Sequence, residues 1–225
     1  MHSLKKEFPI SIRMHPSNSL DMRRKMFRYF YLIIKNTKKF FLKIVIPVRK
    51  TLLIFEIKLG TFIPKFKEDS NVDVCMIKNI VEIQEFIDKR EPWYNEQARN
   101  LLTKGNLCFY GKYKGIVASC LWTSFNEVYL NEIKYTLKVH KKIVPLIDGY
   151  TLDDYQGLGI YKNVWNSTLS YLKNTGLYTS VYGFIFTYNN RSLNVHEKLQ
   201  LDNIIMKIIY TRILGINFHS VIKYK

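Results

Sequence analysis

Thr151-Leu152-Asp153-Asp154-Tyr155-Gln156-Gly157-Leu158-Gly159-Ile160-Tyr161 lies between a β-rich run, residues 143–152, and a run of helical periodicity, residues 160–175, in a chain of 225 residues. Glycine at positions 157 and 159 permits backbone conformations closed to other residues and lets a ligand come close to the main chain. The first-turn N–H groups of the following helix lack intrahelical partners and sit at the positive end of its dipole, so the junction suits a phosphate. Two glycine motifs do not fit. A dinucleotide fingerprint G-x-G-x-x-G needs glycine where Lys162 stands, and the G-K-[ST] of a nucleoside-triphosphate loop is absent. A tight strand-to-helix turn with no ligand would use the same two glycines.

Outward from this junction the signals alternate. Upstream, 72–78 is strand-like, 79–89 is helical with Ile80, Ile83 and Ile87 aligned, and Pro92 suits the first turn of a second helix ending near Lys104 and Gly105. Residues 107–113 and 116–122 are two β-rich runs joined by a Lys-Gly turn, a hairpin signal, and strand and loop are expected over 123–142. Downstream, 178–187 reads as a strand, 191–200 as a short helix, and 204–214 and 218–224 as an antiparallel finish. This order predicts an α/β fold with a mixed sheet and helices on both faces.

The central run, through Gln156 and Gly159, resembles the acyl-CoA pyrophosphate loop of the GNAT superfamily of acyltransferases, Q/R-x-x-G-x-G/A, with Tyr161 in place of the last small residue. A second block, Asn189-Asn190-Arg191-Ser192 followed by Glu197-Lys198-Leu199, resembles that family's N-x-x-[SA] and E-K-L-G-F, with Gln200 and Leu201 where Gly and Phe are usual. Gly159 and Asn189 are 30 residues apart, room for the helix and strand of a parallel crossover. The resemblance follows element order over residues 72–225 and is motif-specific over 146–201.

The resemblance implies a mostly antiparallel sheet in which one parallel pair, 143–152 and 178–187, splays apart to admit the coenzyme. It implies acetyl-CoA or another acyl-CoA as co-substrate, no metal, and direct attack on the thioester by an amine of a small-molecule or carbohydrate acceptor. Cofactor contacts fall on Tyr150, Thr151, Leu152, Gln156, Gly157, Leu158, Gly159, Ile160, Tyr161, Asn189 and Ser192. The reaction needs a base for the amine proton and an acid for the leaving thiolate, whose conjugate acid has a pKa of about 8.5 by analogy with cysteine. The family's acidic Tyr position, seven residues after the Asn, is occupied here by His196, an imidazole that can donate a proton near neutral pH. Asp148, which shares a strand face with Tyr150 and Leu152, is the expected base, followed by Glu132 and Glu127. A helix-surface role for His196 and solvated roles for the two glutamates stay open.

The net charge of +17 is uneven: residues 1–70 carry 16 Lys/Arg against 5 Asp/Glu, and residues 71–225 carry 19 against 13. Phe27, Phe30, Tyr31 and Ile34 line one face of a predicted helix over 21–37 with basic residues around them. We therefore expect two parts, a basic amphipathic N-terminal extension at 1–66 and the acyltransferase-like domain at 67–225. The extension can pack on the domain or meet an anionic or membrane surface. A membrane- or carrier-associated acyltransferase and a non-catalytic GNAT-like module that binds nucleic acid or an acidic partner are the alternative readings; no compact nucleic-acid recognition motif is visible, so a nucleic-acid partner is not expected, while a homodimer is compatible with the sequence. Cys75, Cys108 and Cys120 form no C-x-x-C, and two of them lie in apolar runs. Buried thiols in a reducing, cytoplasmic setting, peripheral to a membrane at most, are the expectation.

Overall fold

A computed structural model describes residues 28, 31, 35, 47–64, 69–125, 127–198 and 203–224. The chain divides into two units, Met1–Pro47 with Arg212–Ile216, and Val48–Thr211 with Asn217–Lys225. The helix expected over 21–37 lies outside the described residues except for Arg28, Tyr31 and Lys35, which have helical backbone and are exposed. Among the described residues, no helix is long and apolar enough to cross a membrane.

The strands are β1 Val48–Lys58, β2 Val72–Met76, β3 Cys108–Tyr113, β4 Ile116–Thr123, β5 Val128–Leu130, β6 Tyr135–Leu137, β7 Ile143–Thr151, β8 Ser180–Phe186, β9 Ile204–Ile213 and β10 Ile216–Lys223. The helices that accompany them are α1 Gln84–Asp88, α2 Tyr94–Thr103, α3 Ile160–Thr175 and α4 Asn190–Lys198. Eight strands form one sheet in the order β10-β9-β1-β8-β7-β4-β3-β2, and β5 pairs with β6 apart from it. β7 and β8 are parallel, whereas β1–β8, β2–β3, β3–β4 and β4–β7 are antiparallel. Between β3 and β4, Lys114 and Gly115 both have positive φ (50° and 84°), the geometry of a two-residue hairpin turn that matches strand twist.

The sheet begins earlier than the expected boundary at residue 66. β1, inside the segment assigned to the extension, runs between β9 and β8 and pairs with β8 from Leu52↔Phe186 to Lys58↔Ser180. Its alternation reflects burial on both faces: Leu52 and Ile54 pack with Ile133 and Leu137 of the β5–β6 region, and Phe55 packs on the opposite face with α3. Phe55 lies directly over its register partner Gly183, where an added Cβ would stand 1.8 Å from the ring. Glycine at that point makes room for the aromatic ring.

Helices cover both faces. α3 sets Val164, Trp165, Leu169 and Leu172 against Val144 and Leu146 of β7 and Val181 and Ile185 of β8. On the other face Phe86, Ile87, Tyr94 and Ala98 of α1 and α2 pack on Cys108, Tyr110, Cys120 and Trp122. α3 starts at Gly159 (φ 76°) and stops at Gly176 (φ 65°), a left-handed residue at each end.

Candidate active site

β7 organises the site through two interruptions. Its parallel pairing with β8 covers Ile143↔Ser180, Val144↔Val181 and Pro145↔Tyr182 and then ends, although β7 continues to Thr151 and β8 to Phe186. The two strands are thus joined at one end and unpaired at the other. On its other edge β7 pairs with β4 through a bulge, since Trp122 faces Ile147 while Cys120 faces Tyr150. Asp148, in the extra length, has φ 48°, a left-handed conformation that Asp tolerates better than most residues. Before the bulge Leu146 packs towards α3; after it Tyr150 and Leu152 pack towards α1 and α2.

At the open end of β7 the chain turns through Asp153–Tyr155 into Gly157 (φ 83°) and Gly159 (φ 76°), then enters α3. No side chain caps α3 and its first turn holds no acidic residue; the Lys162 N–H donates back to Gly159 O at 3.1 Å, so the N–H groups of Ile160 and Tyr161 are the ones placed for an anion. A Cβ at Gly157 would meet nothing within 4 Å, which shows open space over that backbone. Gln156 braces the turn, its Nε2 donating to Thr151 O at 3.1 Å and to Asp153 Oδ1 at 2.6 Å. Ile160 is buried in the core and Leu158 is exposed. Tyr161, the departure from the family pattern, turns its ring beneath β7, where a Cβ at Gly149 would stand 2.6 Å from its hydroxyl. Its bulk lies in the protein interior, and burial pushes the phenol pKa up.

Asp148 sits in a cluster that sequence reasoning did not foresee. Arg90, in the link from α1 to α2, places Nη2 3.6 Å from Asp148 Oδ1. The Tyr94 hydroxyl of α2 accepts from Trp122 Nε1 at 3.1 Å and lies 3.5 Å from Cys120 Sγ. Burial pushes the Asp148 carboxyl above its ordinary range, while Arg90 and the Tyr94 hydroxyl pull it down. Oδ2 has no hydrogen-bond partner. A buried carboxylate with one free oxygen and an upward-tuned pKa can take a proton from a reacting group.

No family model matches the sequence, and no curated protein matches it. Solved structures do. A tandem GNAT protein from the clavulanic acid biosynthesis pathway matches with a TM-score of 0.53 and 11% identity over 74% of this chain. The chain has the GNAT fold. It spans 54% of the length of that tandem protein. Fainter likenesses include AAC(6')-Iy in complex with the bisubstrate analogue CoA-S-monomethyl-acetylneamine, with a TM-score of 0.45 and 15% identity over 58% of this chain and 90% of that one. Another is a functionally unknown conserved protein from Staphylococcus epidermidis ATCC 12228, with a TM-score of 0.45 and 9% identity over 78% of this chain and 60% of that one.

Within this GNAT fold several expected site residues have other duties. Leu152 is buried among α1 and α2 residues and donates its N–H to Ala118 O at 2.9 Å, so we reassign it from cofactor contact to packing. The Tyr150 ring faces Arg90, Thr151 Oγ1 is 2.9 Å from Ser119 Oγ, and the two carbonyls accept from Ser119 Oγ and Gln156 Nε2. Asn189 caps α4, its Oδ1 accepting from Ser192 N at 3.0 Å. Glu132 is exposed, accepts from the Tyr188 hydroxyl and pairs with Lys50 Nζ at 3.5 Å. Glu127 is exposed as well. Among the described residues, no group of His, Cys, Asp and Glu could hold a metal ion.

His196 requires a correction. Its side chain is buried, edge-on to Phe55 and Trp165 with ring centroids 4.6 and 5.7 Å away, and Nδ1 lies 2.7 Å from Ser192 O. A carbonyl oxygen only accepts, so Nδ1 carries the proton. Burial pushes the pKa below the usual imidazole value, which favours the neutral ring. A neutral imidazole whose N–H is held by a helix carbonyl has no acidic proton for a thiolate.

The shift has a measurable consequence for stability. With the folded pKa depressed, the unfolded chain binds more protons as pH falls through its own histidine pKa of about 6.5, so stability is full above that pH and lost below it. Melting temperature is expected to drop between pH 7.5 and 5.5, and less steeply in His196→Phe than in the wild type. Parallel slopes in the two proteins would remove His196 from this account.

Proposed function

We propose that this protein is an acyltransferase that moves an acyl group from acyl-CoA to an amine of a small-molecule or carbohydrate acceptor. The observation that carries the reading is the end of β7–β8 pairing at Pro145↔Tyr182, with the Gly157–Gly159 turn and the uncapped start of α3 at the open end of the same strand. A pantetheine arm can lie along β7 between the strands, and the pyrophosphate can sit on the first-turn N–H groups of α3.

In the proposed reaction the acceptor nitrogen attacks the thioester carbonyl carbon, the C–S bond breaks, and coenzyme A leaves as a thiolate. The attacking nitrogen becomes acidic once it bonds to carbon, and the Asp148 carboxylate takes that proton through a water relay, because its Oδ2 is buried. A carboxylate suffices as base at this stage, although it is far too weak to deprotonate a free ammonium. The thiolate, with a conjugate-acid pKa of about 8.5, takes a proton from solvent.

Isothermal titration of the protein with acetyl-CoA tests the cofactor before any acceptor is known. One molecule per chain is expected to bind, with a dissociation constant on the order of micromolar, as is usual for enzyme co-substrates. Absence of heat with acetyl-CoA and with longer acyl-CoAs would end this reading.

A further inference from the structure

Arg90 carries a full charge with a side chain only 5% exposed. Its guanidinium carbon lies 4.1 Å from the Tyr94 ring centroid and 3.8 Å from that of Tyr150, so one ring from α2 and one from β7 enclose it. Nε donates to Glu91 Oε2 at 3.2 Å, Nη2 faces Asp148 Oδ1, and Nη1 is buried without a hydrogen-bond partner. Asp148 Oδ2 is likewise buried and unpartnered. For stability alone this is a poor arrangement. Each unsatisfied buried polar group is a net cost to folding, and an apolar side chain could fill the same slot between the rings.

We propose that Arg90 is a positioning residue for the reaction: clamped between Tyr94 and Tyr150, it fixes the Asp148 carboxylate on the bulge with Oδ1 held and Oδ2 left unpartnered for the relayed proton. What the carboxylate is for rests on the acyltransferase reading; the clamp and its grip on Asp148 do not. The groups facing Asp148 are Arg90 and Glu91 from the α1–α2 link, Tyr94 from α2, Cys120 from β4 with Sγ 4.0 Å from the Asp148 carbonyl oxygen, and Tyr161 from α3. Cys108 on β3 senses the same charge. Arg90 is the cation of this set. Removing it leaves burial and Glu91 to push the carboxyl upward unopposed except by Tyr94.

The test is a carboxyl-carbon NMR titration of the full-length protein, with the Asp148 signal assigned by its loss in Asp148→Asn. Arg90→Met keeps a flexible apolar body between the rings and removes the charge; Arg90→Lys keeps the charge. Arg90→Met is expected to raise the Asp148 midpoint by about 1–3 pH units, the usual effect of an opposite charge at this range, and Arg90→Lys to recover at least half of the shift. If Arg90→Met does not fold, Tyr150→Leu loosens one wall of the clamp and is expected to raise the midpoint by a smaller amount. An unchanged midpoint in the folded variants overturns the proposal. Acetyl-CoA calorimetry on the wild type separates the two failures: binding with an unmoved midpoint removes the clamp, and a moved midpoint without binding removes the acyltransferase reading.

Discussion

A protein lacking residues 1–66 is expected not to fold, because the deletion takes β1 out of the interior of the sheet. β1 lies between β9 and β8, so its loss leaves two strands with unpaired edges and empties the space of Leu52, Ile54, Phe55 and Leu59, all fully or nearly fully buried. Burying each such side chain is worth about 1.5–3 kcal/mol, or roughly 6–12 kcal/mol for the four. Domains of this size have a net stability of about 5–15 kcal/mol, so the deletion removes most or all of it. Deletion of residues 1–46 takes away none of the described strands and serves as the control. Soluble yield, far-UV circular dichroism and the presence of a cooperative melt decide the point. A protein starting at residue 67 that melts cooperatively would show that β1 is dispensable.

Gly159→Glu is expected to abolish acetyl-CoA binding. Position 159 has φ 76°, and an added Cβ would stand 3.3 Å from Lys162 Cε, so any side chain there is strained and sits at the entrance to α3. A carboxylate at a helix N-terminus is favourable for the helix, and it would occupy the place proposed for the pyrophosphate. Like charges set against each other cost several kcal/mol, which corresponds to an affinity loss of roughly 100-fold or more. Gly159→Ala carries the backbone strain without the charge and should lose much less. Calorimetry on both variants, with melts to confirm folding, reads the effect. Unchanged affinity in a folded Gly159→Glu protein would place the coenzyme elsewhere.

Most of the elements were legible in the sequence because they are marked locally. Gly176 ends α3, the Lys114-Gly115 turn joins β3 to β4, and apolar spacing outlines β7, β8 and the α3 helix. The glycine turn between β7 and α3 was found by the same local chemistry. What escaped was long-range. Nothing within the residues of β1 says that its partner is β8 rather than a neighbour in sequence. Arg90 stands in Lys89-Arg90-Glu91-Pro92, a run that looks like a solvated helix end, and its burial arises from Tyr150, sixty residues away in the chain. For His196 the alignment placed the residue correctly on a helix near β8 but could not convey that Phe55 of β1 and Trp165 of α3 would close around it and hold it neutral.

The inner position of β1 also sets a problem of timing. It is the first strand of the sheet to be synthesised, and its register partners run from Ser180 to Phe186, with β9 later still. At about 5–20 residues per second, a separation of about 120 residues keeps β1 waiting for roughly 6–24 seconds on the ribosome. During that interval Leu52, Leu53, Ile54, Phe55 and Ile57 form an uncovered β-prone segment of the kind that aggregates. Arg49 and Lys50 before the run and Lys58 after it are the charges that flank this segment until the last fifth of the protein emerges to close the sheet.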